Sequence, residues 1–172
     1  MDARKEGDAA STTGRTQVER KSDCELVISR TFDAPARIVF EAWTRPELFK
    51  RWWVPKSFGM ELLSCEQDVR VGGAYRLVFR HGDSGSMAFH GRYLEVVPPS
   101  RLVWTNEESP DGSVTTLTLQ EKGGKTLLVV HERYPSKEAF EANAGAADGM
   151  SESFGQLDEL LVTLVSKGDG GS

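Results

Sequence analysis

The sequence predicts an α+β fold in which a curved, seven-stranded antiparallel sheet wraps around one long C-terminal helix. Three features lead there: a β-rich run followed by two short helical segments, then six strand-like stretches separated by turn signals, and finally a long amphipathic helix. One helix cannot cover seven strands unless the sheet curls around it, so the sheet is expected to be curved.

Taken in order, Leu26-Val-Ile-Ser-Arg-Thr-Phe32 is the first strand. Asp33 is placed to cap the next helix, with Pro35 in its first turn, where a missing N–H costs nothing. Ile38, Val39, Ala42 and Trp43 form its apolar face, which makes Trp43 a core residue. Thr44-Arg-Pro-Glu47 reads as a capping box for a second short helix carrying Leu48, Phe49 and Trp52. Strands are expected at about 58–68, 73–80, 86–96, 101–106, 113–120 and 125–132. Their boundaries are Gly72-Gly73, Gly82-Asp-Ser-Gly85, Pro98-Pro99, Pro110-Asp-Gly112 and Gly123-Gly124. These short connections favour antiparallel hairpins. A weak stretch, Asn143-Ala-Gly-Ala-Ala147, follows Ser136-Lys-Glu-Ala-Phe140, and the last helix begins near Asp148. Met150, Phe154, Leu157, Leu161 and Leu164 form its apolar stripe, with Glu152, Gln156, Glu159 and Thr163 on the solvent side.

Composition bounds the function. The 172 residues suit a single domain, and the net charge of −5 argues against a nucleic-acid binder, which normally carries a basic stripe. No apolar run reaches the roughly 20 residues of a membrane span, and the first residues lack the apolar core of a signal peptide, so a cytoplasmic location is expected. Cys24 and Cys65 are too few and too unpatterned for a disulfide framework and are read as free thiols. Residues 1–23 have little to bury and are expected to form a disordered tail, whose charges cancel. Residues 24–166 form the domain and 167–172 a flexible C-terminal tail.

Chemical motifs are sparse. Gly72-Gly73 is not a phosphate loop, because no Lys-Ser/Thr and no helix follows it. Asp68 and Arg70, two apart, read as a structural ion pair. His81, His90 and His131 have no ligand spacing, and neither a zinc-protease nor a nucleophile-elbow motif occurs, so no metal, cofactor or catalytic residue is expected. His131 reads as structural.

The remaining signal is apolar. Tyr75, Leu77 and Phe79 alternate with Arg76, Val78 and Arg80, giving one apolar strand face. Met87, Phe89, Trp104, Leu117 and Leu119 supply more such positions. Set against Phe154, Leu157 and Leu161, they form either a solid core or the wall of a cavity. An empty 300 Å³ cavity would cost about 7 kcal/mol at about 24 cal/mol per Å³, so a large one should be wet, filled or partly collapsed. Tyr75, Trp104, His90 and Arg92 offer polar groups if they point inward. Trp52-Trp53-Val54-Pro55 with Phe58 suits a rim, either as a lid or as packing under the loop.

These residues resemble the helix-grip, START-like superfamily, also termed SRPBCC or birch-pollen-allergen-like. Within it they resemble the proteins similar to the C-terminal domain of the Hsp-90 ATPase activator. The likeness is carried by Arg30-Thr-Phe-Asp-Ala-Pro35, Val39-Phe-Glu-Ala-Trp43, Thr44-Arg-Pro-Glu47 with Trp52, and Asp68-Val-Arg-Val-Gly-Gly-Ala-Tyr75. Gly91-Arg-Tyr-Leu-Glu-Val-Val-Pro-Pro99, Arg101-Leu-Val-Trp-Thr105 and Thr126-Leu-Leu-Val-Val-His-Glu132 extend it collinearly. Ser153-Phe154 or Gly155 stands where the family often has a Gly-Trp pair.

The resemblance implies a helix-grip fold and a cavity between the sheet and the C-terminal helix. It would hold a small hydrophobic ligand (lipid, polyketide or flavonoid-like) without catalysis. Trp52, Trp53, Phe58, Tyr75, Leu77, Phe79, Met87, Phe89, Trp104, Leu117, Phe154, Leu157 and Leu161 are its expected lining. Two alternatives follow from the same resemblance. One is a cyclase or dehydratase acting on a polyketide-like substrate through Tyr75, His90, Arg92 or Glu95. The other is a co-chaperone-like module that contacts a chaperone through the exposed sheet or the Trp52-Trp53 rim. The expected state is a monomer or weak dimer.

Overall fold

The computed structural model describes residues 15–82, 85–107, 112–142 and 149–171, with side chains through Ser166. Eight strands form one antiparallel sheet in the order β1-β2-β8-β7-β6-β5-β4-β3. The strands are β1 (Gln17–Ser22), β2 (Glu25–Phe32), β3 (Met60–Gln67), β4 (Ala74–His81), β5 (Ser86–Val97), β6 (Arg101–Thr105), β7 (Val114–Lys122) and β8 (Lys125–Arg133). Two short helices, α1 (Ala36–Thr44) and α2 (Pro46–Phe49), link β2 to β3, followed by a 3-10 turn at Lys56–Phe58. Helix α3 (Lys137–Ala142) precedes the long α4 (Met150–Gly171).

The α+β helix-grip architecture is therefore present, with eight strands rather than seven. The additional strand is β1, in a segment the sequence assigned to the disordered tail. It is exposed along its whole length and held by main-chain pairing with β2, from Gln17 opposite Ser29 to Ser22 opposite Glu25. Arg20, over the Phe140 ring at 4.2 Å, anchors it further. At the other end α4 continues through Gly171, past Lys167, where a flexible tail was expected. Several expectations lie outside the described residues: the tail over 1–14, the turns at 83–84 and 110–111, the weak stretch from Asn143 and the start at Asp148.

The helix caps also differ. Pro35, not Asp33, is the N-cap of α1, and the Ala36 N–H donates to Glu121 Oε1 of β7 at 2.9 Å, so a distant carboxylate receives the orphan donor. Thr44 closes α1, donating to Phe40 O at 2.8 Å instead of capping α2, whose N-cap is Arg45.

The core is one cluster. Ile28, Phe32, Leu117, Leu119, Leu128 and Val130 from the sheet pack with Phe154, Leu157, Leu160 and Leu161 of α4 and with α1. Arg30, on the same inner face of β2, is 6% exposed and forms an ion pair with Asp158 of α4, fixing the helix on this half of the sheet. Asp68 and Arg70 form the expected exposed pair at 2.9 Å. Gly72 (φ +84°) and Gly73 make the β3–β4 turn, where a Cβ on Gly73 would strike Asp68 O at 2.0 Å.

Candidate ligand cavity

Helix α1 puts Trp43 at the centre of an aromatic cluster, with ring centroids 6.2 Å from Phe49, 4.8 Å from Trp52, 5.7 Å from Trp53, 5.9 Å from Trp104 and 6.4 Å from Phe154. Trp53 stacks on Phe49 at 4.8 Å. The loop that carries Trp53 is fastened to α4 by polar side chains. Gln156 Nε2 donates to Trp52 O and Val54 O, both at 2.9 Å, and Gln156 Oε1 accepts the Lys56 N–H at 2.9 Å. Ser153 Oγ donates to Trp53 O at 2.7 Å, and Glu152 accepts both the N–H and the hydroxyl of Ser57. These bonds hold the Glu152 carboxyl below its ordinary range, with the Ser57 hydroxyl as the main cause. The segment is thus a clamped roof rather than a free lid, and Glu152 and Gln156 are its fasteners rather than a solvent face.

Beneath this roof lies a cavity of about 90 Å³, lined by Trp43, Phe49 and Trp53 above and by Gln67, Tyr75, Leu77, Phe89, Tyr93, Leu102, Trp104 and Asn106 of the sheet side. Empty, it would cost about 2 kcal/mol at about 24 cal/mol per Å³, within what a domain tolerates. Its place differs from the expected one. It lies between the β3–β6 half of the sheet and the α1–α2 segment, because the apolar stripe of α4 packs directly into the core.

The expected lining therefore divides. Trp53, Tyr75, Leu77, Phe89 and Trp104 line the cavity. Trp52, Phe79, Leu117, Phe154, Leu157 and Leu161 are buried in the solid core, with Trp52 Nε1 donating to Ala42 O at 3.0 Å. Phe58 and Met87 are 44% and 51% exposed and border an open groove beyond the helix. His90, Arg92 and Glu95 are exposed on the outer face, where Arg92 pairs with Glu107 and Arg101 with Glu95. A broad outer depression of about 680 Å³ there carries charges of both signs and lacks walls to enclose a ligand.

The sequence reading missed Phe49, Gln67, Tyr93, Leu102 and Asn106, and it took Trp43 as core alone. Strand alternation carried part of the signal: Leu102, Trp104 and Asn106 share one face, as do Phe89, Gly91 and Tyr93. The β5–β6 register shifts between Tyr93 and Glu95, after which the inward residue is Val96, opposite Leu102.

The polar groups of the wall form a network. Gln67 Nε2 donates to Trp43 O at 2.9 Å and to the Tyr93 hydroxyl at 3.3 Å. Tyr75 Oη donates to Thr105 O at 2.7 Å and lies 3.0 Å from Asn106 Oδ1, while Asn106 Nδ2 reaches Ser113 Oγ and Thr115 Oγ1, both at 2.9 Å. Burial pushes the Tyr93 phenol up to about 12 and, next to the cavity, the Cys65 thiol up to about 11. Trp43 Nε1 is buried with no acceptor, a state that costs about 1–3 kcal/mol when nothing fills it. Outside the cavity, His131 Nε2 lies 3.0 Å from Glu25 Oε2. The Glu132 carboxyl is raised by burial against the pull of the Tyr134 hydroxyl. Both cysteines are free, and no cluster of metal-ligating side chains occurs among the described residues.

Comparison with known proteins then places the chain. Residues 33–162 match the model of the family described as "Activator of Hsp90 ATPase homolog 1-like protein". The chain belongs to this family. A crystal structure from Rhodobacter sphaeroides is 27% identical, with a TM-score of 0.80, and the match covers 87% of this chain and 99% of that one. One from Chromobacterium violaceum is 29% identical with a TM-score of 0.68, over 80% and 97% of the two chains. One from Nitrosomonas europaea, at 24% identity, a TM-score of 0.75 and coverage of 84% and 98%, shares the fold. No curated protein matches. Membership in this Hsp90-activator-like family supports a ligand-binding or activator-like module in general. No helix among the described residues is long and apolar enough to cross a membrane.

Proposed function

We propose that this family member binds a small hydrophobic molecule, without transforming it, in the cavity under the Trp43–Trp53 roof. The observation that carries this reading is the aromatic cavity itself, one of whose lining residues, Trp43, has a buried indole N–H with no acceptor. At about 90 Å³ it is below the ~150 Å³ of an engineered cavity that takes benzene, so it suits a single ring with slight widening. A lipid chain or a multi-ring polyketide would have to displace the wall. The acid–base alternative loses its support, since His90, Arg92 and Glu95 lie on the outer face and the Tyr75 hydroxyl is bonded within the wall.

Calorimetric titration with a panel of single-ring compounds, fatty acids and flavonoids tests this. Saturable binding by single-ring members is expected, reduced at least about tenfold in Leu77→Phe, which fills the cavity. No saturable binding by any member overturns it.

The family description favours a second reading, contact with a chaperone. The Trp52-Trp53 rim does not offer the expected patch, because Trp52 is fully buried and Trp53 stacks inward on Phe49. Copurification with an Hsp90-type chaperone and a change in its ATPase rate would support this second reading.

A further inference from the structure

Building on the binding reading above, we infer that the ligand is uncharged and aromatic and carries a hydrogen-bond acceptor, received by the Trp43 indole N–H and the Tyr93 hydroxyl.

Several polar hydrogens of the wall already have partners. Gln67 donates its amide hydrogens to Trp43 O and the Tyr93 oxygen, and its Oε1 accepts the Cys65 thiol at 3.7 Å. The Asn106 amide donates to Ser113 and Thr115, and the Tyr75 hydroxyl donates to Thr105 O. Four polar hydrogens of the wall have no acceptor among the described residues: those of the Trp53 and Trp104 indoles, whose residues are partly exposed, and two that lie on buried residues. Of the buried two, one is on Trp43 Nε1, whose residue is 3% exposed. The other is on Tyr93 Oη, which accepts from Gln67 and belongs to a residue 4% exposed. The neighbouring Trp52 shows the ordinary solution, its indole N–H donating to a backbone carbonyl. Burial keeps the Tyr93 phenol protonated, so it stays a donor across the neutral range.

Charge sets the second condition. No Lys, Arg, His, Asp or Glu stands among the described lining residues. A carboxylate entering would lose its hydration with no cation to meet it, and an ammonium would meet two donors. The ring of Trp43, Phe49, Trp53, Phe89 and Trp104 sets the third, since it presents flat apolar faces suited to another ring. Together these select a single-ring aromatic ketone, aldehyde, ester or lactone over a fatty acid or a plain hydrocarbon.

Three probes of nearly equal size separate the possibilities on the full chain: acetophenone, ethylbenzene and benzoate, each titrated by calorimetry. Acetophenone is expected to bind about fivefold or more tightly than ethylbenzene, with benzoate weakest. Trp43→Phe, which removes the donor while reshaping the wall for both probes, should bring the affinities for acetophenone and ethylbenzene to within about twofold of each other. Tyr93→Phe provides the same readout independently should the first variant not fold. Equal affinity for acetophenone and ethylbenzene, or tighter binding of benzoate, overturns the inference while leaving the cavity a ligand site. Failure of all three probes to bind removes the cavity reading and the inference together.

Discussion

At residue 91 the β5 backbone passes so close to its neighbours that a Cβ would sit 1.9 Å from Thr105 O and 2.9 Å from the Tyr75 ring. No side-chain rotation relieves a clash with a backbone carbonyl, so glycine is required by space alone. The contact also fixes the site, because Thr105 O is the acceptor of the Tyr75 hydroxyl. Gly91→Ala is expected to lower stability by about 3 kcal/mol or more, read as a reduced urea midpoint. An unchanged midpoint would contradict this close approach. Trp43 is the second decisive residue. It shares the burial of Trp52 but not its backbone acceptor, and the proposed ligand contact rests on that difference.

At the scale of elements, the segment 52–57 takes its shape from α4 rather than from its own sequence. One side-chain amide, Gln156, satisfies three of its backbone groups. Gln156→Ala should cost about 1–2 kcal/mol and speed amide exchange at Lys56 and Ser57, leaving the β7–β8 ladder unchanged. Exchange that stays slow at those two amides would mean that Glu152, Ser153 and aromatic packing hold the roof without Gln156. Local periodicity made much of the rest legible. The Met150–Leu164 stripe and the Tyr75–Leu77–Phe79 alternation each place buried residues on the inner face, as expected from periods of 3.6 and 2. The α4–loop clamp was not legible, because hydrogen bonds between residues about 100 apart leave no local pattern. Nor was β1, whose polar sequence QVERKS pairs through its backbone and buries nothing. Gln67 and Asn106 were hidden for a related reason: each is a polar residue at a strand end, where sequence alone does not separate a wall position from a turn.

At the scale of the whole molecule, the sheet is filled in two ways. Its β2–β8–β7 half receives α4 as a solid core, tied by the Arg30–Asp158 pair. Its β3–β6 half is covered by the Trp43 end of α1, by α2 and by the clamped roof, which leave the cavity. The expected lining mixed these halves because both present the same apolar pattern in sequence, and only the path of α4 separates them. The central claim, that this second half holds a ligand, is tested most directly by the ¹H–¹⁵N spectrum during titration with acetophenone. The Trp43 indole cross-peak should shift saturably together with the amides of Leu77, Tyr93 and Trp104, while the Trp52 indole, already bonded to Ala42 O, stays in place. Shifts confined to the outer face around His90 and Arg92 or to the Phe58–Met87 groove, or no saturable shift at all, would contradict it.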